Sequence, residues 1–143
     1  MSKKKLKIDA LIEEFRGQDL DPHYLGYFAC FNRGLFYEAH DVLEELWLAH
    51  RQGTNYAFYK GLIQLAGAFV HLQKDRLRPA ASLFKLSRIN LLKYPQVHER
   101  LNIIDTLHLV DKWLYELETN QFAKNPLKED NAPQLHLLPR QKV

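Results

Sequence analysis

The chain of 143 residues carries a single cysteine, Cys30, which excludes an internal disulfide framework and any multi-cysteine zinc site. Its only serines are Ser2, Ser82 and Ser87, none in a nucleophile elbow, so Ser-His-Asp catalysis has no starting point. The six glycines stand singly, which leaves neither a P-loop nor a dinucleotide fingerprint to cradle phosphate. No apolar run approaches the roughly 18–20 residues that cross a bilayer, and Met1 to Lys7 leads into Ile8 without a signal-peptide core. A cytoplasmic protein with no membrane partner is expected. Residues that favour strands are also scarce: Val, Ile and Thr total 14 against 36 for Leu and Ala, a balance that selects helices.

What is present reads as one all-α domain, a compact bundle of five to six helices over residues 1–120. Ile8, Leu11, Ile12 and Phe15 repeat at helical spacing before Gly17, giving a short first helix, with Lys3, Lys4, Lys5 and Lys7 as a solvated terminus and 17–23 as a linker. Asp21-Pro22 is a cap followed by a first-turn proline, opening a helix through Tyr24, Leu25, Phe28 and Phe31 to Gly34. The next helix, 35 to 50, sets Phe36, Ala39, Leu43, Leu46 and Trp47 against Glu38, Asp41 and Glu45. Residues 55–74, capped by Thr54 or Asn55, are apolar almost all round and form the expected buried central helix. Their one polar strip, Lys60, Gln64 and His71, is interrupted by Gly67, where a neighbouring helix can approach. Pro79 opens a further helix ended by Tyr94-Pro95, and Ile103 to about Asn120 makes the last one. Residues 96–102 carry no clear period. Residues 121–143, with three prolines, are expected to be an extended or disordered tail whose Leu135, Leu137 and Leu138 can dock on a groove.

Cys30 sits among Phe28 and Phe31 and reads as a small core residue rather than a reactive thiol. Polar chemistry concentrates elsewhere. His40 and Glu44 stand four apart, a spacing that offers two ligands to one metal or lets a carboxylate orient an imidazole, and His71 with Asp75 repeats it. If the helices 35 to 50 and 55 to 74 pack antiparallel, His40, Glu44, Gln64 and His71 converge, with Trp47 in the same sector as His40. That cluster suits a divalent metal on His40, Glu44 and His71, or a small polar ligand, with Glu44 or His40 the acid or base if the site is enzymatic. The competing reading is a hydrogen-bond network that fixes helix register in a non-catalytic, homo-oligomeric interaction module. No His-Glu-x-x-His motif is present, and Asp105-x-x-His108 is a partial echo of a ferritin-like element with His108 expected on the surface.

The run Glu38-Ala39-His40-x-x-x-Glu44-x-x-Trp47, paired with Gly61-Leu62-Ile63-Gln64 and preceded by Gly34 and Phe36, resembles the bacterial and archaeal "domain of unknown function 309" family of small helical proteins. The resemblance covers about positions 24 to 118, with Leu43 also on the pattern. Asp41 stands where the family usually has Glu, and Pro79 where a Gly commonly precedes Ala. The resemblance implies a helical fold and no activity.

Positions 76 to 100 hold six basic residues against Glu99 alone, whereas the helix 35 to 50 has four carboxylates and no Lys or Arg. A basic segment invites nucleic acid. Lys85, Arg88 and Lys93 nevertheless spread over a wide arc without interleaved exposed aromatics, which argues against nucleic acid and for pairing with the acidic helix, within the fold or across a homodimer.

Overall fold

Leucine, alanine and aromatic side chains at helical intervals commit the chain to six α-helices among residues 2–140, which the computed structural model describes. These are α1 (Lys3–Ile12), α2 (Pro22–Asn32), α3 (Phe36–Ala49), α4 (Tyr56–Gln73), α5 (Leu77–Leu91) and α6 (Ile103–Thr119). Consecutive helices pack on one another from α2 onwards. The central helix is α4, and its Phe58, Leu62, Leu65, Ala66, Ala68 and Phe69 are all sealed from solvent.

Phe69 is where the layers meet. Its ring stacks on Phe36 of α3 at 4.9 Å and lies edge-to-face with Phe31 of α2, Phe84 of α5 and Trp113 of α6 at 5.7, 5.2 and 5.0 Å. Such pairs each add roughly 0.5–1.5 kcal/mol beyond simple burial, so the rotation of α4 about its axis is strongly fixed. At 3.6 residues per turn, Lys60, Gln64, Gly67 and His71 fall about 160–220° from Phe69, on the opposite face of α4. The polar strip is therefore turned outward, between α3 and α5.

Close approach of α5 depends on two missing side chains. A Cβ at Gly61 would stand 3.1 Å from buried Leu91 and 3.2 Å from Asn90 Cβ, and one at Gly67 would stand 3.1 Å from a terminal methyl of Leu83. The buried Ser87 hydroxyl donates to the Gly61 carbonyl at 2.7 Å, tying the two helices at that point. Gly34, at φ +74°, ends α2, with Leu35 N–H bonded back to the Cys30 carbonyl and Gly34 N–H to that of Phe31.

Four features differ from the sequence expectation. First, α1 starts at Lys3, capped by the Ser2 hydroxyl, and its lysines are not a free terminus: Lys7 pairs with Glu38, Lys4 with Asp41 and Glu44, and Lys5 with Glu45. Second, within the fold Lys85 and Arg88 of α5 pair with Glu118 and Asp111 of α6 and not with the acidic helix. Third, Asn55 precedes α4 without capping it; the Tyr94 hydroxyl accepts from Phe58 N–H at 2.9 Å and donates to the Thr54 carbonyl. Fourth, residues 97–102 make a two-stranded hairpin, β1 (Val97–His98) with β2 (Leu101–Asn102), turned by Glu99 and Arg100 at φ +49° and +59°. Turn residues of that kind are ordinarily Asn or Gly. Here Tyr24 hydroxyl donation to the Glu99 carbonyl and the Arg100–Asp19 ion pair hold the conformation.

Residues 121–140 contain no helix or strand and run back over the bundle. Asn32 clips the segment by accepting from Leu135 N–H at 2.7 Å and donating to its carbonyl at 2.8 Å, and Leu135 is buried. Leu137 packs partly against the core, while Leu138 stays exposed. The last three positions of the expected tail lie outside the described residues. Cys30 is buried, and desolvation pushes its thiol up to about 11, as befits a core position.

The two α4 glycines make a measurable contrast. Gly61→Ala must displace buried Leu91, so overpacking outweighs the helix-propensity gain and unfolding free energy falls by about 1 kcal/mol. Gly67→Ala meets only a flexible methyl and stays within about 0.5 kcal/mol of the parent. Chemical denaturation reads both; equal losses would mean the α4–α5 approach is not governed by Gly61.

Candidate functional site

The outward strip of α4 floors a cleft of about 220 Å³, walled by α3 and α5. Tyr37 and His40 come from α3, Ile63, Gln64, Gly67, Val70 and His71 from α4, and Leu83 from α5. Three of the expected site residues, His40, Gln64 and His71, thus share one cavity. Glu44 does not line it. Its carboxylate faces α1, 3.5 Å from Lys4 Nζ, and it borders a separate cavity of about 140 Å³ with Lys4, Lys5, Asp41 and Glu45. Trp47 is half-buried beyond the cleft, its ring 5.3 Å from Tyr56 and 6.0 Å from the Arg51 guanidinium, and its indole N–H is buried without an acceptor.

His40 is the hinge between the two cavities. Its Nδ1 lies 3.2 Å from Asp41 Oδ1, while its Nε2 stands 3.7 Å from Glu44 Oε2, within ion-pair range and beyond a good hydrogen bond. Desolvation works to lower the pKa of Lys4, and the same two carboxylates, which also pair with it, together overcome that and hold the ammonium above its ordinary value. Neighbouring Glu45 behaves similarly: burial works to raise its pKa, and the bonds from Lys5 and His23 overcome that and lower it. The acidic face of α3 is thus largely neutralised before the cleft begins.

Gln64 is held by a residue that sequence inspection did not single out. Asn90 Nδ2 donates to Gln64 Oε1 at 2.8 Å across the α4–α5 contact. The pair is 26 positions apart in sequence, and only the packing enforced at Gly61 brings it together. His71 has no such help: its Nδ1 is buried and makes no hydrogen bond among the described residues. Burial lowers its pKa, and the charges of Arg76 and Lys74 lower it further, so the ring is held neutral at physiological pH. The proposed echo of His40–Glu44 at His71–Asp75 does not form, since Asp75 takes a hydrogen bond from Asn125 instead. His108 is exposed on α6.

His40, Glu44 and His71 are not gathered about one point, and no group of three or more His, Cys, Asp or Glu among the described residues is placed to hold a metal ion. What the arrangement offers is directional hydrogen bonding beside an aliphatic wall of Ile63, Val70 and Leu83. No helix among the described residues is long and apolar enough to cross a membrane.

The family model described as "Domain of unknown function (DUF309)" matches residues 24–83, the stretch from α2 to the middle of α5 that contains every residue lining the cleft. No curated protein and no solved structure matches the chain.

A neutral, partnerless imidazole has a pH signature. With the folded-state pKa of His71 below its unfolded value, the unfolded chain binds more protons, and stability is lost as pH falls below the ordinary imidazole range. The His71 ring should titrate below 6.5 by NMR, and His71→Gln should flatten the loss of unfolding free energy between pH 7 and 5. An unchanged slope in a folded variant would contradict this placement.

Proposed function

We propose that this protein, whose residues 24–83 match the DUF309 family model, is a small cytoplasmic ligand-binding module whose α3–α4–α5 cleft takes a small polar molecule. The observation that carries the reading is the buried Nδ1 of His71, without a partner among the described residues, on a side chain that lines a cavity already furnished with Gln64 and His40. Leaving such a group unpaired costs roughly 1–3 kcal/mol, which a bound hydrogen-bonding molecule recovers. Convergent polar groups on a mostly apolar wall are the usual make-up of a ligand site, and this cavity is smaller than the ~300 Å³ lower bound for drug-sized ligands. A divalent ion fits less well, because Glu44 is engaged by Lys4 and no carboxylate among the described residues lines the cleft beside the two imidazoles. The single buried cysteine suits a reducing compartment.

The test is a two-dimensional NMR titration with small polar fragments of each charge type. Shifts should cluster on Tyr37, Gln64, Gly67 and His71, disappear in Gln64→Leu, and be accompanied by thermal stabilisation that reaches about 2.7 kcal/mol at a hundredfold excess over Kd. Fragments that perturb only other surfaces would refute the reading.

The exposed face of α5 favours a second role, self-association. Leu86, Ile89 and Leu92 are 46%, 57% and 52% exposed beside the cleft wall, an apolar stripe of the kind that partners cover. Sedimentation equilibrium should then find a dimer that Ile89→Lys converts to monomer; a monomer at high concentration in the parent removes this role.

A further inference from the structure

The polarity of one amide decides what the cleft can accept. Lys93 Nζ, which can only donate, bonds to Asn90 Oδ1 at 3.2 Å, so the Asn90 amide must turn its Nδ2 the other way, onto Gln64 Oε1 at 2.8 Å. With its oxygen engaged, Gln64 is left presenting both Nε2 hydrogens, and these make no hydrogen bond to the protein among the described residues. The relay from Lys93 through Asn90 thereby sets the Gln64 end of the cavity as a donor.

The surrounding charge agrees. The groups that act electrostatically on His71 are Arg76 and Lys74, both cations, and no Asp or Glu among the described residues lines the cavity. The carboxylates beside His40, Asp41 and Glu44, lie on α3 and pair with Lys4. Opposite the polar groups, Ile63, Val70 and Leu83 supply an aliphatic surface that gives a hydrated inorganic anion nothing and a hydrocarbon group a contact.

From this arrangement we infer that the ligand is a small aliphatic carboxylate, its carboxylate accepting from Gln64 Nε2 and the His71 ring, its hydrocarbon body against Ile63, Val70 and Leu83. The inference rests on the ligand-binding reading above and adds the chemical class. Asn90 is a positioning residue: it touches Gln64, not the ligand, and it acts by fixing which atom of the Gln64 amide faces the cavity.

Isobutyrate and its neutral isostere isobutyramide separate the class from the site. Followed through the Gln64 side-chain amide and His71 ring signals, isobutyrate should bind the parent about tenfold more tightly than isobutyramide, the order expected when a hydrogen bond gains a charged acceptor. Gln64→Leu should remove that preference. Asn90→Asp gives the sharper readout: the introduced carboxylate can only accept, so it draws the Gln64 Nε2 toward itself, turns Oε1 to the cavity, and should reverse the order in favour of isobutyramide. Equal or better binding of isobutyramide to the parent, or a carboxylate preference that survives Asn90→Asp in a folded protein, overturns the carboxylate assignment while leaving a ligand site standing. Absence of any cleft perturbation by either compound at high millimolar concentration overturns both.

Discussion

Four helices of this bundle meet on one phenyl ring. Phe69 contacts aromatic side chains from α2, α3, α5 and α6 at once, and no other ring among the described residues pairs with aromatics of so many helices. Because the ring faces inward, the opposite side of α4 must face out, and that side carries Lys60, Gln64, Gly67 and His71. The cleft is thus a consequence of core packing rather than a separate feature added to the fold. Gly67 deepens it by offering no side chain, while Gly61, a turn and a half earlier, draws α5 in closely enough for Asn90 to reach Gln64.

Electrostatics on either side of the cleft are settled locally. The acidic face of α3 is covered by lysines of α1, and two cations of α5 pair with carboxylates of α6. Exposed pairs of this kind contribute about 0–1 kcal/mol each and are screened by salt, so their main effect here is to keep both walls from presenting strong charge to the cavity. The α1 helix is otherwise held by a small satellite core, Ile8 and Ile12 on Val42, at a point where Gly26 makes room for Ile12. It screens the acidic helix and contributes nothing to the cleft itself.

Much of this was legible in the sequence, and the failures have identifiable causes. Helical periodicity located the central helix and its polar strip, since apolar residues all round one segment leave few alternatives, and the family match falls on the same region. Asp21-Pro22 and Gly34 marked helix ends through local chemistry alone. The four-residue spacing does bring Glu44 within ion-pair range of His40, but a helical wheel, which places Glu44 at the edge of the apolar sector, does not say which neighbour stands there, and Lys4, forty residues away, pairs with it outside the cleft. The Tyr94 cap and the Asn90 relay are likewise contacts of long sequence separation between residues of ordinary type. The hairpin was invisible for another reason: Glu99 and Arg100 are poor turn residues, held left-handed by tertiary bonds that no local pattern announces.

The most direct test of the account is a crystal structure of the protein soaked with small polar fragments. Density for a fragment between α3 and α5, with a polar atom on His71 Nδ1 and Gln64 Nε2, is the expected result. A cleft closed by Tyr37 and Leu83, with His71 Nδ1 satisfied by a buried water and fragments bound only elsewhere, would contradict the claim that the outward face of α4 is a ligand site.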